Sequence, residues 1–182
     1  MFVADKLRAS NIVGYLIYMW QVEDIIRAFD FDIDKLSQHY LSRFGDVSEE
    51  QKKDLRQWYS DIIDMMRSEG VKQRGHIQIC KNVIINLTDI HDRLMASSKY
   101  PYYHAAYHKA LPIIVELRAK QGADDLHSEL ESCFELLYGV TLLKMQGRTV
   151  SKETSDAAET ISVFLGMLGD YYNQDRTEPL EF

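Results

Sequence analysis

Asn11–Phe29, NIVGYLIYMWQVEDIIRAF, is the stretch whose reading decides the fold. Placed on a helix at about 100° per residue, Ile12, Val13, Tyr15, Leu16, Met19, Trp20 and Ile26 fill one broad sector. Tyr18, Val22, Ile25 and Phe29 fill most of the other side, and only Gly14, Gln21, Asp24 and Ala28 leave a small or polar strip. A helix apolar on nearly every side is one that other helices surround. The unbroken apolar run is shorter than the roughly 18 residues a bilayer span requires, so no membrane span is expected. Glu23 and Arg27 interrupt the apolar sector. Their i,i+4 spacing with the acid first suits a helical ion pair. If the sector is buried, both charges need partners. They then either form a structural ion pair or line a polar cavity in which Glu23 is the base or anchor.

The 182 residues suit one domain, expected over residues 1–172, with residues 173–182 as a frayed polar tail. Net charge −7 and a pI near 5.3 argue against nucleic-acid binding, which draws its affinity from basic surface. The beginning, MFVADKLRAS, lacks signal-peptide architecture. Cys80 and Cys133 fall among apolar helical positions, as buried thiols of a reducing compartment do. A cytoplasmic location is inferred.

Outward from the opening helix the signals stay helical. Asp30-Phe31-Asp32-Ile33-Asp34 begins like a calcium loop, but Lys35 and Leu41 stand where glycine and a bidentate glutamate are required. The acids therefore read as caps of a second helix, to about Phe44. Gly45-Asp46 is a turn, and Ser48–Gln51 is a capping box opening a third helix that Gly70 stops. A fourth helix is expected over His76–Ala96. A fifth runs from Pro101 to about Lys120, kinked or ended by Pro112 and closed by Gly122. A sixth spans about Asp125–Gln146, and Ser151 caps a seventh. Short connections and the absence of β alternation give an all-α bundle of about six to seven helices, mostly antiparallel, around a central apolar N-terminal helix.

Candidate chemistry is sparse. Arg67, Lys72 and Arg74 form a basic cluster just before a helix N-terminus, beside Gly75, where a phosphate or carboxylate could dock. Glu69 and His76 flank that segment, and His76 pairs i,i+4 with Cys80. Glu116 follows Pro112, whose kink could open a pocket for it. His104 and His108 are spaced to share a metal but lack a third ligand, so they are weak metal candidates. His91 in an apolar stripe reads as a core histidine with a satisfied ring nitrogen. The tyrosine-rich run Tyr100–His108 reads as a packed boundary or an interaction surface.

Four strings, YMWQVED (Tyr18–Asp24), MRSEG (Met66–Gly70), Gly75-His76 and ALPIIVELRAK (Ala110–Lys120), resemble a bacterial family of similar length classed as a domain of unknown function. The resemblance covers nearly the whole chain. It implies a cytoplasmic helical protein and carries no activity, cofactor or catalytic residue. The function expected is a non-enzymatic helical interaction or scaffold protein, self-associating or bound to a protein partner, with no cofactor. The alternative is a bundle that binds a small anionic or polar ligand through Glu23, Arg27, Arg67, Glu69, Arg74, His76 and Glu116.

Overall fold

A computed structural model describes residues 2–45, 48–121 and 127–182. Among them are eight α-helices and no strand: α1 (Phe2–Ser10), α2 (Ile12–Ala28), α3 (Ile33–His39), α4 (Glu49–Ser68), α5 (Gln78–Ala96), α6 (Pro101–Ala119), α7 (Glu129–Met145) and α8 (Lys152–Thr177), with a 3-10 turn at Leu41–Arg43. The helix count exceeds the expected six to seven because residues 2–10 form a helix of their own, with Asn11 separating α1 from α2. The Asp46 turn position and the Gly122 and Asp125 boundaries lie outside the described residues.

The sequence sets most helix ends through side-chain caps. The Asp32 carboxylate accepts the Asp34 and Lys35 amides at 3.0 Å each, which satisfies the free donors of α3 and explains the acidic run without calcium. Those bonds, the Lys35 amide first, hold the Asp32 carboxyl below its ordinary range. Ser48 and Gln51 form the reciprocal capping box of α4. Ser128 caps α7 and Ser151 caps α8. The second helix is shorter than expected. The Tyr40 amide still bonds to Leu36, but the following bonds, Arg43 to Tyr40 and Phe44 to Leu41, tighten to 3-10 spacing. Pro112 does not end α6, which continues to Ala119 with Pro112 exposed. At the C-terminal end, α8 runs through Thr177, past the expected start of a frayed tail. The Leu180 amide donates to Asp175 and the Tyr100 hydroxyl to the Glu181 carbonyl, so these last residues are bonded.

The chain divides into two compact units, residues 1–9 with 14–82 and residues 10–13 with 83–182. In the first, α2 buries Leu16, Met19, Trp20, Val22 and Ile26, each at most 1% exposed. Each such side chain contributes roughly 1.5–3 kcal/mol relative to exposure. α4 buries Tyr59, Ile62, Ile63 and Met66, a helical stripe at i, i+3, i+4 and i+7. Tyr18, Tyr40 and Trp58 surround Tyr59, and burial pushes the Tyr59 phenol far above its ordinary range.

In the second unit α6 and α7 both pack on α8. α8 buries Ala158, Ile161, Phe164, Leu165 and Leu168. Tyr103, Ala110 and Ile114 of α6 face inward with it.

Candidate functional site

The residues singled out in the first unit meet at the connection between α4 and α5. Gly70 (φ 71°) turns the chain out of α4, and Gly75 (φ 83°) turns it again before α5. Both angles lie where a Cβ is disfavoured, so the chain can reverse here only at such residues. Between them the connection lies against α2, held by side chains.

Glu23 is 0% exposed. Its Oε1 accepts the Ile77 amide at 2.9 Å and its Oε2 accepts His76 Nδ1 at 2.5 Å. The His76 ring stacks on Trp20 with centroids 4.1 Å apart and planes 8° from parallel. The expected Glu23–Arg27 ion pair does not form, a correction with a plain cause. The buried carboxylate is claimed by a histidine and an amide of the connection, and Arg27 turns to Asp24 at 2.8 Å. Arg27 also donates to the Val71 carbonyl at 3.1 Å and to the Gly75 carbonyl. Glu69 Oε2 accepts the Gln78 amide at 2.5 Å.

The amides at the start of α5 are taken as well. A helix N-terminus attracts an anion, and α5 has its anions already: Glu23 and Glu69 take the Ile77 and Gln78 amides. α5 accordingly begins at Gln78, two residues later than expected. Arg67 bonds the Phe31 carbonyl at 3.1 Å and sits 3.5 Å from Asp64, while Arg74 is exposed. Phe31 itself has φ 63°, an uncommon value for an aromatic residue, and the Arg67 bond helps to hold it. Cys80 is buried as expected, and burial, then the neighbouring Glu23 carboxylate, pushes its thiol well above the ordinary range. A carboxylate on Nδ1 sets the tautomer of His76, leaving Nε2 as its second nitrogen.

In the second unit the remaining candidates separate. Glu116 is exposed and paired with Lys120 at 2.6 Å, so Pro112 opens no pocket for it. His104 spends Nε2 on the Leu94 carbonyl at 2.9 Å, and His108 is exposed beside Tyr107. No group of three or more metal-ligating side chains converges among the described residues.

His91 lies instead in an aromatic enclosure that sequence reasoning placed only as a core position. Tyr103, Tyr107 and Phe164 pack around it at centroid distances of 5.8, 5.0 and 5.9 Å. Its Nδ1 shares a 2.6 Å hydrogen bond with the Tyr103 hydroxyl. Burial lowers its pKa, with Asp92 and Glu129 opposing. The Tyr107 hydroxyl donates to Glu129 at 2.9 Å, and Glu129 sits 3.6 Å from Arg118. Burial, then that bond, pushes the Tyr107 phenol up to about 12. Cys133 is likewise pushed up to about 12, first by burial and then by Glu129. Neither Tyr107–Glu129 nor Glu129–Arg118 carries a sequence signal, since each joins different helices.

No described helix is long and apolar enough to cross a membrane. No curated protein and no solved structure matches the chain. Residues 1–179 match the family described as "Domain of unknown function (DUF4924)", and the chain belongs to that family.

Proposed function

We propose that the chain is a non-enzymatic helical interaction protein of the cytoplasm, self-associating or bound to a protein partner. On this reading residues 1–172 act as one helical domain organised on α2. One observation carries the reading: Glu23, the buried carboxylate most suited to chemistry, is bonded to Ile77 and His76 of its own chain. That use is structural, and it leaves function to surfaces such as the start of α6, where Tyr102 is 81% exposed. Light scattering over a wide concentration range tests it. A concentration-dependent rise in mass is expected; a strict monomer at high concentration that captures no partner would count against the reading.

A second reading takes a small anionic or polar ligand at Glu23, Arg27 and the Arg67–His76 segment. Its support is the convergence of Glu23, Arg27, Glu69 and His76 on one connection, with Lys72 and Arg74 exposed on it. Ligand would have to displace Glu23 or Glu69 from the α5 amides. Native mass spectrometry of gently purified protein checks this, with a retained small molecule lost in Glu23→Gln as the expected result.

A further inference from the structure

A cleft in the first unit, between α3 with its following 3-10 turn and the first half of α4, uses none of the residues above. It encloses about 440 Å³, within the range of small-molecule sites. Leu41 and Leu55 give it an apolar wall. Lys52, Lys53 and Arg56 bring three cations to it, against one lining carboxylate, Glu49. Lys52 is 2.7 Å from Glu49, and Arg56 is 2.6 Å from Asp34. All four of these side chains are well exposed, so neither pair is tightly held, and a charged ligand can compete for both cations. Lys53 makes no ion pair among the described residues. The Ser37 hydroxyl, on a residue that lines the cleft, is buried without a hydrogen-bond partner. A buried polar atom left so is costly and calls for an explanation.

We propose that this cleft binds a small amphiphilic anion: a carboxylate or phosphate head on an unbranched alkyl chain of medium length. The head meets the lysines and Arg56, and a turn of the Ser37 side chain toward the cleft lets its buried hydroxyl donate to it. The alkyl chain covers Leu41 and Leu55. Inorganic phosphate would satisfy the cations and leave the half-buried Leu55 side chain partly in water. A neutral alcohol would cover the leucines and leave the cations without a counter-charge. A local excess of cations over an apolar wall, in a chain of net charge −7, singles out a ligand that carries both features.

The test is a titration of ¹⁵N-labelled full-length protein, read by amide shifts, with octanoate, octyl phosphate, inorganic phosphate, octanol and octyltrimethylammonium as separate probes. Octanoate or octyl phosphate should give saturable shifts centred on residues 37–56, and the stronger of the two identifies the head group. Phosphate and octanol should bind about tenfold more weakly or worse. Lys53→Glu, at an exposed position, should weaken the anionic amphiphile about tenfold, and Ser37→Ala should weaken it several-fold with the helical circular dichroism unchanged. Absence of saturable shifts in the cleft with both anionic amphiphiles would overturn the proposal. So would equal binding of octyltrimethylammonium or of free phosphate, or indifference to Lys53→Glu.

Discussion

His76 and His91 are both partly buried imidazoles beside aromatic rings, and the protein uses them in opposite ways. His76 donates to a fully buried carboxylate and stacks on Trp20. His91 shares its hydrogen bond with the Tyr103 hydroxyl and is enclosed by Tyr107 and Phe164. The first arrangement holds a carboxyl group inside the protein by surrounding it with hydrogen-bond partners. The second avoids charge, since burial lowers the His91 pKa. The same residue type thus fastens a connection in one unit and fills an aromatic core in the other. The partner that the fold delivers to the ring decides which.

The strongest way to break the contrast is Glu23→Ala. It strands the Ile77 amide and the His76 ring in a buried site, and removing one partner of a buried pair costs about 3–5 kcal/mol. Urea denaturation measures that loss, and a change below about 1 kcal/mol would mean the carboxylate is not what holds the connection. Next in size is Arg27→Ala, which frees the Val71 and Gly75 carbonyls and should cost about 1–3 kcal/mol. Its sharper readout is hydrogen exchange: amides of residues 71–78 should exchange faster while those of α8 keep their protection.

On the other side of the comparison, Tyr103→Phe removes the His91 bond and keeps the ring, for an expected loss of about 1 kcal/mol. A neutral result there would assign the enclosure to packing alone. The pH dependence of His91 should be the smallest effect. Its folded pKa is below the ordinary value of 6.5, so the unfolded chain binds the proton more readily. This contribution is complete above pH 6.5 and is lost as pH falls from there through the lowered value. In His91→Gln that slope should flatten, as read by denaturant midpoints between pH 7 and 5. An unchanged slope would place the acid sensitivity elsewhere.

Much of this was legible in the sequence, for a physical reason. Asp32, Ser48 and Ser151 act on amides two or three residues away, so a local reading finds them, whereas the Ser128 cap was not read. Glycines at 70 and 75 marked the turns because few other residues accept their backbone angles. Glu23 stood out as a charge in an apolar sector, but the helical period left its burial open, and the fold makes it 0% exposed. The helical character of residues 2–10 was harder to read, because that short piece is separated from α2 by a single residue.

What periodicity cannot supply is the identity of a distant partner. Arg27, four residues from Glu23, was the natural local choice. The chain instead brings His76 from 53 positions away, and Ile77 with it. At the start of α5, likewise, two of the protein's own carboxylates accept the amides. Composition and helical spacing by themselves determined an all-α protein, an apolar α2 and most of the caps, because those depend on neighbours within a turn or two. Only the tertiary structure decided that Glu23 closes the α4–α5 connection, that His91 sits in an aromatic enclosure, and that Ser37, Lys53 and Leu41 share one cleft. Each of those depends on which helix lies against which, and that is a property of the whole packed chain.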